Sequence, residues 1–208
     1  MIDRYLLPTV KVVLTPVARV LVARGVHPDH VTVAGFGLGI LAVPALAMGW
    51  TVLALVLIAA NRIADGLDGT MARMTRPSDR GAFLDIALDF FFYALVPLGF
   101  ALCEPARNAL PAAVLIAAFM GTGSSFLAFA VLAERRGLKT EDYPAKGFYY
   151  LGGLTEGTET IALFVAMCLI PGSFPWLAYG FAAACLLTSI TRWRMGWEAF
   201  GKARDNDG

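Results

Sequence analysis

Apolar positions in this chain come in long blocks. Six segments, near residues 31–49, 52–73, 82–103, 109–133, 158–171 and 174–194, are dominated by Ala, Val, Leu, Ile, Phe and Gly. A bilayer-crossing helix needs about 20 such residues. The fifth block reaches that length only if it begins near Leu154, and the second turns polar at Asn61. Both fit a membrane helix whose polar end faces protein instead of lipid.

Residues 2–24 follow another pattern. Leu6, Val10, Val13, Leu14, Val17, Val20 and Leu21 recur at helical spacing, with basic residues largely between them. This predicts an amphipathic helix lying on the membrane interface, with a break at Pro8 or Pro16 as one option. A seventh span is the alternative, but charges interrupt every window of sufficient length. The expected fold is therefore all-α and integral to the membrane: an interfacial helix over 1–26, a six-helix transmembrane domain over 27–196 and a tail over 197–208.

Composition supports this. The chain has 208 residues, 58% of them hydrophobic and only 16% charged, against roughly half and a quarter in soluble domains. A net charge of +1 gives no sign of a nucleic-acid partner. Charge placement says more than its sum. Basic residues cluster before the first block, at the end of the second, after the fourth and at the end of the sixth; of the 17, only Arg107 falls elsewhere. The positive-inside rule then puts both termini in the cytoplasm; the expected location is a bacterial inner (cytoplasmic) membrane, with the active site on the cytoplasmic side. The N-terminus, with Asp3, Arg4, Pro8 and Lys11, does not read as a cleaved secretory signal. Cys103, Cys168 and Cys185 lack ligand spacing and read as packing residues. His27 and His30 read as an interfacial turn. The glycines of Gly35–Gly39 and Gly121–Gly123 read as close helix contacts.

Acidic residues within spans are costly and mark function. Asp65 and Asp68 share one helix face, as do Asp85 and Asp89, through spacings of three and four. The loop Met74–Arg80 makes the second and third spans an antiparallel hairpin. Each pair then lies about 12 Å from its helix end, at similar depth. Four facing carboxylates require protons or cations, and hard oxygen ligands suit Mg²⁺, Mn²⁺ or Ca²⁺. Arg62 has two readings: it neutralises one of the aspartates, or it reaches a substrate phosphate.

The run Asp65-Gly66-Leu67-Asp68-Gly69-Thr70-Met71-Ala72-Arg73, seven residues, and Gly81-Ala82-Phe83-Leu84-Asp85-Ile86-Ala87-Leu88-Asp89 resembles the signature of the CDP-alcohol phosphotransferases, D-x-x-D-G-x-x-A-R followed by G-x-x-x-D-x-x-x-D. All eight fixed positions are present. The resemblance implies two divalent cations, Mg²⁺ or Mn²⁺, held by Asp65, Asp68, Asp85 and Asp89, with Asp89 also the general base. It implies that Gly69, Ala72, Arg73 and Gly81 contact the cytidine diphosphate. Pro28 and Thr32 resemble the family's Pro-Asn-x-x-Thr, with Asp29 in place of Asn. The implied reaction is direct attack of an acceptor hydroxyl on a CDP-linked lipid such as CDP-diacylglycerol, with release of CMP, in an enzyme expected to be a homodimer.

Two clues bear on the acceptor. Arg135, Arg136, Lys139, Lys146 and Arg192, with Arg194, suit an anionic alcohol such as glycerol 3-phosphate or inositol phosphate. Glu156 and Glu159 suit an amine or polyol, pair with Lys146 or Arg62, or act only as favourable N-terminal helix charge. The rival reading is a divalent-cation transporter, since intramembrane carboxylates also line ion paths; metal-dependent CMP release separates the two.

Overall fold

The structure, a computed structural model, describes residues 3–137 and 154–201. Among these, the elements are α1 (Asp3–Ala23), α2 (Pro28–Ala47), α3 (Thr51–Met74), α4 (Asp79–Cys103), α5 (Pro105–Arg135), α6 (Gly157–Leu169), a 3₁₀ turn (Pro171–Ser173) and α7 (Phe174–Gly201), with no strand. Each apolar block of the sequence is thus a helix. Four stretches are long and apolar enough to cross a membrane: α2, α4, α5 and Pro171–Gly201. α6, at 13 residues, spans only about 20 Å, and α3 spends its second half on polar residues.

Local chemistry sets the helix starts. His27 N-caps α2 by accepting the Asp29 N–H, and Pro28 takes the first turn, where a missing N–H costs nothing. Ser78 caps α4 through the Gly81 N–H. Glu156 and Glu159 form a reciprocal capping box at the start of α6. α1 runs unbroken through Pro8 and Pro16.

α2 is the central element. It packs on α3 and on α4; α5 packs on α4 and α7, α1 on α3, and α6 on α3 and α7. Where α2 meets α3, a Cβ on Gly35 would lie 2.5 Å from Ala64 Cβ; where it meets α4, a Cβ on Gly39 would lie 2.8 Å from the Phe92 ring. Small residues thus let the backbones approach, as expected of membrane helix crossings. Phe92, Phe119 and Phe164 stack edge-on at the centre, with Phe92 and Phe164 fully buried. Ala18 seats α1 against Leu67 and Met71 of α3.

The expected hairpin of the second and third spans is modified. The connection is only residues 75–78, but α3 and α4 make little direct backbone contact and are held together through α2. The gap between them holds the aspartates. The tail boundary also moves, since α7 continues to Gly201. Arg136 donates to the carbonyls of Ala199 and Phe200, and the Phe129 ring packs on Phe200, so the last turn of α7 is tied to α5.

Large apolar side chains stay exposed all round, among them Val52, Phe83, Met120, Val131 and Trp176. Apolar surface on this scale needs a partner, and for helices of this length the partner is lipid. Trp50, Trp176, Trp193 and Trp197 are all exposed, as interfacial belt residues are.

Gly35→Leu will wedge α2 from α3 and cost about 1–3 kcal/mol, read as a lower melting temperature in detergent. Gly37→Leu, on the same helix with nothing within 4 Å of its added Cβ, will melt like wild type. Equal melting of the two variants would contradict this packing.

Candidate active site

One cavity collects the acidic motif. It is lined by Thr32, Gly35 and Phe36 of α2, Asn61, Arg62, Asp65 and Asp68 of α3, and Asp85, Leu88 and Asp89 of α4. α3 contributes one face, because 61, 65 and 68 recur at helical spacing; α4 adds the facing pair. The polar half of α3 therefore points into protein: Asn61 and Asp68 are each 4% exposed. The unfilled volume is about 10 Å³, room for about one water.

Among the described residues, Arg62 is the one basic residue in its wall. It donates from Nη2 to Asp89 Oδ1 at 2.5 Å, and Nη1 lies 3.7 Å from Asp65 Oδ2. In the structure Arg62 is thus paired with two of the aspartates. Four carboxylates face this one guanidinium, so the cavity keeps a strong attraction for cations. As the side chains stand, no three acidic, His or Cys groups among the described residues are arranged to grip a metal ion. The donor set nonetheless fits a hard cation: all oxygen, with the buried Asp68 Oδ2 lacking any hydrogen-bond partner.

The residues expected at the nucleotide cluster beside this cavity. Arg73 is exposed at the end of α3 and folds back, its Nη1 3.5 Å from where a Gly69 Cβ would be and its Nη2 donating to Thr70 Oγ1. Thr32 lines the cavity and donates to the Pro28 carbonyl. Ala72 is half-buried on the same helix end. A Cβ on Gly81 would lie 3.1 Å from Asp29 Oδ1, so the start of α4 sits directly on the start of α2. Asp29, the departure from the motif, is buried and accepts two bonds from Arg80, at 2.8 Å from Nε and 2.5 Å from Nη2.

Among the described residues, the expected acceptor residues do not form one cluster. Glu156 and Arg192 line a second cavity of about 150 Å³ with Phe90, Tyr93, Thr122, Thr155, Thr160 and Cys185 among its walls. Arg192 is buried there and donates to the Thr122 carbonyl. Glu159 is turned to the α6 cap, donated to by the Glu156 N–H. Arg136 serves the end of α7. Arg135 and Arg194 are exposed. Lys139 and Lys146 lie outside the described residues. The sequence reading missed Tyr93 and the threonines of this cavity. Tyr93 and Thr122 are uncharged polar groups inside apolar runs, and Thr155 and Thr160 stand beside Glu156 and Glu159, whose charges drew the reading instead.

The chain matches the family model for CDP-alcohol phosphatidyltransferase over residues 25–194. The inner membrane protein YnjF of Escherichia coli is 54% identical over 92% of this chain and 93% of its own length. The archaetidylinositol phosphate synthase of Pyrococcus horikoshii is 32% identical over 54% of the chain and 61% of that protein. The phosphatidylinositol phosphate synthase of Cutibacterium acnes is 35% identical over 55% and 58%. Among solved structures, the Mycobacterium tuberculosis phosphatidylinositol phosphate synthase with CDP-DAG bound aligns with a TM-score of 0.66 at 22% identity, covering 88% of this chain and 93% of that one, a likeness of fold.

Proposed function

The chain belongs to the CDP-alcohol phosphatidyltransferase family, and from this premise we propose the course of its reaction. The family comprises transferases of phospholipid synthesis, so the protein is a membrane enzyme using a CDP-alcohol; an ion-transporter reading is not favoured. The donor is CDP-diacylglycerol or a close analogue. Its cytidine diphosphate lies across Pro28, Thr32, Gly69, Ala72, Arg73 and Gly81. Arg73 offers a planar fork to phosphate oxygens, and Gly69 leaves space beside it.

Asp65, Asp68, Asp85 and Asp89 supply the carboxylates for divalent cations, two Mg²⁺ or Mn²⁺ by the family pattern. Bound there, such ions would supply charge to screen the pyrophosphate and stabilise the departing CMP. Asp89 accepts the proton of the acceptor hydroxyl. The hydroxyl oxygen bonds to the lipid-side phosphorus as the phosphorus–oxygen bond to CMP breaks. No covalent enzyme intermediate is needed. The observation that carries this reading is the convergence of all four motif aspartates, from two helices, on one cavity.

The acceptor enters the second cavity, where Tyr93 stands one helical turn along α4 from Asp89 of the first. Arg192 and Glu156 give this pocket both charges, and three threonines give it hydroxyl partners, a lining suited to a polyhydroxy alcohol that carries an anionic group. Arg192→Gln will raise the acceptor KM by about 10–100-fold, the worth of a charged hydrogen bond, with a smaller change in kcat. An unchanged KM would remove Arg192 from the acceptor site. A panel of alcohols, offered with CDP-diacylglycerol and Mg²⁺ or Mn²⁺ and read by mass spectrometry of the lipid product, tests the assignment. Glycerol 3-phosphate or an inositol phosphate should yield product; conversion of a cationic alcohol alone would contradict it.

Six spans, both termini cytoplasmic, α1 on the interface and a homodimer complete the proposal. In its support, Val13, Val17 and Val20 form an exposed apolar stripe on α1, away from the Ala18 contact.

A further inference from the structure

Gly121 and Gly123 of α5 both serve helix packing, and Gly123 also lines the second cavity. Its partner is Phe90 of α4, another residue of that wall. The consequence of this contact for substrate choice rests on the proposed acceptor site and deepens it.

A Cβ on Gly123 would lie 2.6 Å from Phe90 Cε1, 3.0 Å from Cδ1 and 3.3 Å from Cζ. Carbon atoms pack at about 3.5–4.0 Å, so the ring fills the notch that the missing side chain leaves. Behind the notch α5 is fixed. A Cβ on Gly121 would already lie 3.2 Å from Ser189 Oγ of α7, and Arg192 Nη1 donates to the Thr122 carbonyl at 3.0 Å. At this level α5 has little room to back away from α4.

The other rings of the cavity wall are braced. Tyr93 lies against Phe119 and Phe164, and Phe126 faces the Arg192 guanidinium at 5.6 Å. Among the described residues Phe90 has no aromatic or cationic neighbour of this kind, and its seat is the Gly123 notch. A ring pushed off that seat moves into the open space beside it, which is the cavity. That cavity holds about 150 Å³, the size that admits one benzene-sized molecule. One displaced ring edge takes a large share of it.

We infer that Gly123 is a specificity-determining residue of the acceptor site: by lacking a side chain it seats the Phe90 ring against α5 and sets the width of the second cavity, so that a larger residue there would narrow the cavity and exclude the bulkier alcohols first. The effect runs through Phe90, so a smaller side chain at 90 compensates for a larger one at 123.

The test uses the full chain in detergent and a reporter that the cavity already holds. Cys185 is buried in its wall, Cys168 is buried outside it, and Cys103 is exposed at the end of α4. Labelling by methyl methanethiosulfonate, read by peptide mass spectrometry, is timed for wild type, Gly123→Ala, Phe90→Leu and the double variant. Gly180→Ala, whose added Cβ would meet nothing within 4 Å, is the control. Gly123→Ala should slow Cys185 by about tenfold and leave Cys103 and Cys168 unchanged, one methylene in a pocket being worth about 10–200-fold. The double variant should regain most of the rate, Phe90→Leu alone should label faster than wild type, and Gly180→Ala should match wild type. In kinetics with CDP-diacylglycerol, Gly123→Ala should lower kcat/KM about tenfold more for an inositol phosphate than for glycerol 3-phosphate, with the donor KM unchanged. Unchanged or faster Cys185 labelling in Gly123→Ala, or no recovery in the double variant, would overturn the inference. Where Gly123→Ala fails to fold, Phe90→Leu decides, since labelling no faster than wild type would overturn it too. Labelling that shifts as expected while the acceptor KM stays the same would move the acceptor out of this cavity, a failure of the functional reading itself.

Discussion

Asp89→Asn will lower turnover by on the order of 10²–10⁴, the usual contribution of a positioned general base, in a protein that still folds. The change keeps the side chain's shape and its capacity to accept a bond from Arg62 at the amide oxygen. It removes the negative charge and the ability to take a proton. Asp89 is the motif carboxylate in closest contact with Arg62 and one helical turn from Tyr93 of the second cavity, so the loss should appear in kcat far more than in the KM of either substrate. Asp79→Asn is the control: Asp79 lies outside the cavity at the first turn of α4. Quantitative CMP release against time separates the outcomes, and full activity in Asp89→Asn would remove Asp89 from the chemistry.

The second large effect concerns the cation. Dialysis against EDTA will abolish turnover, and Mg²⁺ or Mn²⁺ will restore it. Asp68→Asn will weaken metal binding by on the order of 100-fold or more, since loss of a ligand exceeds the 10–100-fold cost of outer-shell changes. Asp68 is the sharpest probe, being 4% exposed with an oxygen that has no protein partner. In the metal-free protein Asp68→Asn should be neutral or stabilising, because it removes a charge buried close to the other motif carboxylates. A melting temperature in EDTA that rises or holds in Asp68→Asn, with Mn²⁺ stabilisation lost, is the expected pair of results. Turnover unaffected by EDTA would contradict the assignment.

Much of this molecule is legible in its sequence. Apolar blocks of about 20 residues have few alternatives to helices, and the positions of α2 to α5 and the start of α7 follow from them within a few residues. The carboxylate face of α3 follows from spacings of three and four. Other features depend on tertiary geometry. The local pattern of α3 and α4 predicts a hairpin, yet α2 lies against both and the gap becomes the site. The sequence does not show which groups Arg62 meets; in the fold it lies over the Phe92 ring and donates to Asp89. Arg136 looked like an anion ligand and instead closes α7, because that helix runs past its apolar block. Glu156 and Glu159 fall at an N-terminus, where a cap and a binding role look the same in sequence; the structure gives both to the cap and brings only Glu156 to the cavity.

The central claim is that one cavity, carried by four aspartates, transfers a phosphatidyl group from CDP-diacylglycerol to an alcohol. It is tested most directly by measuring CMP and lipid product together, with purified protein, CDP-diacylglycerol, Mn²⁺ and the acceptor panel. The account predicts CMP released in equal amount to the new phospholipid, only when metal and acceptor are both present. CMP exchange into CDP-diacylglycerol without any acceptor, or metal flux across liposomes with no CMP release, would contradict it.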